Sequence, residues 1–134
     1  MDGQAVVFVD GAARGNPGPA GIGVVVRTAG KVDRYSEYVG RQTNNRAEYL
    51  ALIKALEIVL SMGVKRVTVF TDSTLLAKQV SGQYRVKSAG LKPLHTKVVE
   101  LVSRFDGFEI KCVGREENAE ADRLANQAID RATP

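Results

Sequence analysis

A chain of 134 residues and 14.5 kDa, 44% hydrophobic and 25% charged, has material for one compact domain, residues 1–134, and is too short for two. Its 19 Lys and Arg stand against 15 Asp and Glu, a formal charge of +4, which permits a polyanionic partner without demanding one. The single cysteine, Cys112, excludes an intrachain disulfide and a cysteine-rich zinc site and suits a reducing cytoplasm. The start MDGQAVVFVDG lacks a secretory pattern and there is no apolar run long enough to span a bilayer, so a soluble, unexported protein with no membrane partner is expected.

The chain contains no internal repeat and no low-complexity tract. Residues 5–9 are five consecutive apolar residues rich in β-branched types, the pattern of a strand buried on both faces, and they run into Asp10. Residues 10–21 carry four Gly and two Pro and read as a turn-rich connection. Residues 22–27 and 32–39 predict two more strands around a turn at Ala29 and Gly30, which makes an antiparallel meander of three. Thr43 suits the N-cap of a helix from Asn44 to about Ser61, with Ala47, Leu50, Ala51, Ala55, Ile58 and Val59 at helical spacing and Gly63 as the stop. Residues 67–71 predict a second buried strand, ending at Asp72. A short helix over 73–80, a connection containing Gly and Lys, a helix over 93–105, a strand over 108–113 and a helix over 118–132 follow. Hairpins first and strand–helix alternation later predict an α/β fold, a mixed sheet covered by helices, with the first strand and the 67–71 strand as parallel neighbours. Only residues 1–4 and 132–134 read as loose ends.

Four of the acids stand in costly places. Asp10 and Asp72 each follow an apolar strand, and the carboxyl ends of strands at a change of strand order form the usual binding crevice of an open sheet. Glu48 shares its helix face with Ala51, Leu52, Ala55 and Val59, the stripe that must pack on the sheet. Asp122 shares a face with Ala125 and Ile129 in a weaker version of that pattern. Gathered carboxylates repel one another and lose hydration, which drives their pKa values upward, and a divalent cation removes the conflict. Oxygen ligands with no histidine pair and no thiolate set select magnesium or manganese over zinc or copper. Two such ions suit phosphodiester hydrolysis. The alternative is that Asp10 and Asp72 are turn residues and that Glu48 and Asp122 favour helix N-termini.

DGAARGNPGPAG at 10–21, TNNRAE at 43–48, TDS at 71–73 and NAEADRLAN at 118–126 resemble ribonuclease H of type I, in order and spacing, over essentially the whole chain. The resemblance implies an endonuclease that cuts the RNA strand of an RNA–DNA hybrid with two Mg²⁺ ions, which Mn²⁺ often replaces, leaving 5′-phosphate and 3′-hydroxyl ends. It implies a five-stranded mixed sheet flanked by helices. By position, Asp10, Glu48, Asp72 and Asp122 match the family's catalytic metal ligands. Gly11 and Ser73 flank two of these acids and join the predicted substrate site. Asn16, Asn44, Asn45 and Arg46 match positions that line the hybrid's minor groove or hold its backbone, where amides donate and accept at 2′-hydroxyls and base edges. Helix capping by Asn44 and a turn at Asn16 remain compatible alternatives.

Two departures from the family stand out. Many bacterial relatives carry a histidine in the loop before the last catalytic aspartate, where this chain has Gly114-Arg115-Glu116-Glu117. Arg115 implies charge neutralisation or product release by a permanent cation instead of proton transfer. The lone histidine, His95, sits at a helix start. The chain also has no Trp, and its stretch from Ser81 to Pro93 is too short for the basic protrusion of some relatives. Yet residues 73–99 contain Lys78, Arg85, Lys87, Lys92 and Lys97 and no acid. Tyr84, Arg85, Lys87 and Lys92 are the expected reduced grip on the DNA strand, with a solvated lysine-bearing loop as the alternative. A stand-alone monomeric enzyme is expected. A relative that also cuts double-stranded RNA, a reverse-transcriptase fragment and a catalytically silent hybrid-binding module are the rival readings.

Overall fold

The computed structural model describes residues 3–133; the expected loose ends at Met1, Asp2 and Pro134 lie outside them. One mixed sheet has the strand order β3-β2-β1-β4-β5, built from β1 (Gln4–Ala13), β2 (Gly18–Thr28), β3 (Lys31–Gln42), β4 (Arg66–Thr71) and β5 (Gly107–Cys112). The first three strands form the expected antiparallel meander. β4 lies parallel to β1 and to β5, so the chain crosses over through helices: α1 (Asn44–Ser61) leads to β4, and α2 (Thr74–Val80) and α3 (Lys92–Val102) lead to β5, after which α4 (Ala119–Ala132) closes the chain. The ends expected to be loose are partly tied: Gln4 pairs with Arg66, and the Thr133 amide donates to the Ile129 carbonyl at 3.0 Å.

The largest difference from the sequence reading is at residues 10–21. These are not a connection, because β1 continues through Ala13 and β2 begins at Gly18, with Asp10 opposite Gly23 and Ala13 opposite Ala20. Small residues have weak strand preference of their own, but here they meet two helices at close range. A Cβ on Gly11 would lie 2.3 Å from the Ala47 carbonyl carbon in α1, and one on Gly23 would lie 2.0 Å from the Ala121 oxygen in α4. Asp10 is therefore inside a strand. It still borders a crevice, since the parallel pairing of β1 with β4 stops at Phe8 opposite Phe70 and the two strands separate beyond it.

The helices form two layers. α1 packs on β1 and β2, and α3 packs on α1, enclosing Val7, Val9, Val24, Val26, Leu52, Leu56, Val59 and Val69. The Thr43 hydroxyl accepts from the Arg46 amide at 3.2 Å as the expected cap of α1, and Gly63, at φ 78°, ends the helix turn. On the other face α4 crosses β2 and β3 and the near edge of β1, burying Ala121, Ala125, Ala128 and Ile129. Because α4 reaches only the edge of β1, that strand is not buried on both faces throughout: Phe8 is half-buried, stacked on Phe70 with centroids 5.1 Å apart and covered by the Arg27 guanidinium at 5.3 Å. Gly23→Ala forces α4 off the sheet, and a loss of about 2–3 kcal/mol is expected by chemical denaturation; Gly30→Ala, which meets nothing within 4 Å but has φ 71°, should cost less.

Candidate active site

Each of four elements brings one carboxylate to the crevice between β1 and β4. Asp10 comes from β1, Glu48 from the second turn of α1, Asp72 from the end of β4 and Asp122 from the first turn of α4. They line a single open cleft of about 360 Å³ with Gly11, Asn44 and Arg115. Asp10, Glu48 and Asp72 each offer an oxygen within 4.8 Å of the other two. Asp10 is 6% exposed and Glu48 is 9% exposed, so neither charge is hydrated as it would be in the unfolded chain. Asp122 is exposed, which corrects its placement on the apolar face of α4. The first turn of that helix overhangs the cleft, and Ala121, Leu124 and Ala125 do the packing.

The physical conflict anticipated for gathered carboxylates is present. Burial, then the charges of Asp72, Asp122 and Glu48, push Asp10 up to about 9, with Asp122 also within hydrogen-bonding reach. Burial likewise raises Glu48 to about 7, against the lowering influence of the Ser73 hydroxyl. Asp72 is also raised by burial, and the Arg115 guanidinium is the largest influence holding it down. A dense set of hard oxygen donors with one nearby cation is the donor chemistry that suits a divalent ion such as magnesium or manganese.

Asn118 is the residue that sequence reasoning passed over, as a member of the last helix. It occupies the N-cap position of α4 but makes no capping bond. It is 1% exposed, its Nδ2 donates to the Val9 carbonyl at 2.9 Å, and its amide helps to lower the Asp72 carboxyl. Its own carbonyl accepts from the Asp122 amide at 3.1 Å. The Asn118 carboxamide thus holds the residue before Asp10, and its backbone carbonyl holds the helix that carries Asp122. The only signal in the sequence was an amide at the head of NAEADRLAN, which reads equally well as a cap.

Residues 8–128 match the protein family described as Reverse transcriptase-like. The chain is 42% identical to a bifunctional protein of Mycobacterium tuberculosis over 132 residues, 96% of this chain and 36% of that protein. It is 40% identical to ribonuclease HI of Halobacterium salinarum, over 97% of this chain and 66% of the relative. The chain therefore spans about a third to two thirds of the length of these curated relatives. The crystal structure of the Halobacterium enzyme superposes with a TM-score of 0.92 at 39% identity, covering 96% of this chain and 99% of that one. LC11-RNase H1, solved in complex with an RNA/DNA hybrid, superposes with a TM-score of 0.91 at 42% identity, covering 97% and 99%. The chain belongs to the ribonuclease H family.

The other residues singled out in the sequence are dispersed. Gly11, Asn44 and Arg115 border the cleft. Asn16 Oδ1 accepts from the Asn44 amide at 3.0 Å, which ties the β1–β2 turn to the start of α1; the cap itself is Thr43. Asn16, Asn45 and Arg46 line a second groove of about 220 Å³ with Ser88 and Gly90. Ser73 caps α2, its hydroxyl accepting from the Leu76 amide at 3.1 Å. Tyr84, Arg85, Lys87 and Lys92 are exposed outside the cleft, Tyr84 being 48% exposed with the Lys78 ammonium 4.9 Å from its ring centre. His95 is remote from the carboxylates: it packs edge-on against Tyr49, with Nε2 3.3 Å from the Gln79 carbonyl.

Between the unfolded pKa values near 4 and the folded values of about 7 for Glu48 and about 9 for Asp10, the folded state holds more protons than the unfolded one. Stability must then fall as pH rises through this window. The metal-free protein is expected to lose Tm steadily from pH 5 to pH 9, and Asp10→Asn to melt on the order of 5 °C higher than wild type at pH 8. Asn118→Ala withdraws the donor from the buried Val9 carbonyl, and a loss of about 1–3 kcal/mol is expected by urea denaturation.

Proposed function

We propose that this chain is an endonuclease that hydrolyses the RNA strand of RNA–DNA hybrids, leaving 5′-phosphate and 3′-hydroxyl ends. One observation carries the reading. Four carboxylates from four elements converge on one open cleft in a chain that matches LC11-RNase H1, solved with an RNA/DNA hybrid, over 97% of its length.

Asp10, Glu48, Asp72 and Asp122 would hold a pair of Mg²⁺ ions, or Mn²⁺ in their place. When bound, such a pair supplies the positive charge that stabilises the attacking and leaving oxygens of an in-line phosphoryl transfer. To bind it, Asp10 and Glu48 must give up the protons that burial favours, so loading strengthens with rising pH. Ser73 and Asn118 favour the charged forms of Glu48 and Asp72, the forms that hold a cation. Arg115, already the main influence lowering Asp72, offers a permanent cation to the phosphate or to the departing strand.

Strand choice follows from the walls of the cleft. Asn44 borders the carboxylates, where its amide can donate to and accept from a 2′-hydroxyl, the group that separates RNA from DNA. Asn16 and Asn45 extend this polar wall, and Gly11, at the edge of the cleft, presents backbone to a bound strand. Tyr84, Arg85, Lys87 and Lys92 engage the phosphates of the DNA strand, which reads strand type and not sequence. The lone cysteine, exposed at Cys112, fits a reducing cytoplasm as the place of action.

Asp10→Asn is expected to reduce magnesium-dependent cleavage of a labelled hybrid by at least ~10³-fold while circular dichroism is unchanged, since removing a transition-state charge partner acts on kcat. Wild-type-like turnover in this variant would overturn the metal-site assignment. Parallel digests of hybrid, duplex RNA and duplex DNA test the substrate, with cleavage confined to the hybrid as the expected result. Replacing Arg85 and Lys87 together with alanine should raise KM and flatten its salt dependence by about two phosphate contacts, leaving kcat nearly intact.

A further inference from the structure

Arg46 stands in the family's substrate-contact motif, yet its side chain is already engaged within the protein. Among the described residues it makes no ion pair. Its Nε donates to Gln42 Oε1 at 2.9 Å, and its Nη1 donates to the carbonyl of Gly90, 44 positions away in the chain.

Gly90 belongs to segment 81–91, which joins α2 to α3 with no helix or strand of its own and carries Tyr84, Arg85 and Lys87 on its exposed side. Both ends of the segment are tied locally. At the start, the Gln83 and Tyr84 amides donate to the Lys78 carbonyl at 2.9 and 3.0 Å; at the far end, the Leu91 amide donates to the Ser88 carbonyl at 3.1 Å. Leu91, next to Gly90, anchors the far end in the core, and between the ends only Val86 packs partly against it. The Arg46 bond is the one hydrogen bond from α1 to this segment among the described residues. It joins residues that line the same groove, Thr43, Asn45 and Arg46 from the start of α1 and Ser88, Gly90 and Leu91 from the segment.

We propose that Arg46 is a positioning residue that latches the basic segment 81–91 to the N-terminus of α1, holding Tyr84, Arg85 and Lys87 at a fixed distance from Glu48, two residues further along the same helix. The guanidinium suits this task because its planar fork donates in two directions at once. Ordering an irregular segment only when a ligand arrives weakens binding, and a segment already held avoids that loss. A short form of the enzyme needs such a latch, because its grip has no helix to give it shape. The inference rests on the reading that residues 84–87 grip the hybrid.

Amide exchange of the free protein and hybrid binding in Ca²⁺, without cleavage, test the latch together. Arg46→Ala and Arg46→Lys are both expected to speed exchange at Leu91 and Lys92 by about tenfold or more while the interior of α1 and β4 keeps its protection, because lysine retains the charge but cannot bridge Gln42 and Gly90. Arg46→Ala should weaken hybrid binding by about tenfold, and adding Arg85→Ala with Lys87→Ala should weaken it by less than the product of the separate effects, the mark of residues acting as a unit. Unchanged exchange at Leu91 and Lys92 overturns the proposal. So do effects that multiply together with full binding by Arg46→Lys, which mark a direct phosphate contact. If wild type itself fails to bind the hybrid, the functional reading falls, and the exchange result alone decides the latch.

Discussion

Three carboxylates with oxygens within 4.8 Å of one another, two of them nearly inaccessible to water, make the unfavourable interaction around which this molecule is arranged. No local sequence preference brings Asp10, Glu48 and Asp72 together; the sheet and α1 do so and hold them there against repulsion. The raised proton affinities of Asp10, Glu48 and Asp72 measure the same conflict from the electrostatic side. It is tolerable because α1 and α4 pack closely against the strands beside it, and because protons neutralise the cluster, as a divalent cation would.

That packing depends on residues with little or no side chain. Gly11 admits the N-terminal part of α1 and so places Glu48 beside Asp10, while Gly23, opposite Asp10 on the neighbouring strand, admits the start of α4 and so places Asp122 over the cleft. The parallel pairing of β1 and β4 ends at Phe8 and Phe70, just before the two aspartates, so their side chains emerge where the strands part. Asn118, buried at the head of α4, donates its amide to Val9 beside that parting. Site and fold are thus one construction: the contacts that bring the helices close to the sheet are also the ones that aim the acids.

Much of this was legible in the sequence. Thr43, Gly63 and the apolar spacing between them marked α1 within a residue of its observed ends, because capping and amphipathicity are local properties. The strands at 67–71 and 108–113 were readable from their β-branched and aromatic content. The closing end of the β1–β2 hairpin was hidden because its Gly, Ala and Pro residues resemble a loop; their strand pairing follows from the need for close helix approach, which is a tertiary demand. The exposure of Asp122 was missed for a related reason: helical spacing gives the face of a residue but not where the helix runs past the edge of the sheet. Arg46 and Asn118 were opaque because their partners, Gly90 and Val9, lie far away in the chain and contribute backbone carbonyls, which carry no signature in the side-chain sequence.

The net charge of +4 illustrates the same division. Setting aside the four cleft carboxylates leaves 11 acids against 19 cations, so an acidic pocket sits in a basic surface. By itself the sequence determined the α/β class, the family, the four acids and the acid-free basic stretch, because periodicity, capping and motif spacing act over short distances along the chain. Only the tertiary structure decided which oxygens meet, which acids lose their water, and which polar side chains are already engaged inside the protein. Those outcomes depend on contacts between segments up to about a hundred residues apart, and electrostatic and hydrogen-bond energies change with distance and burial in ways that spacing along a chain does not encode.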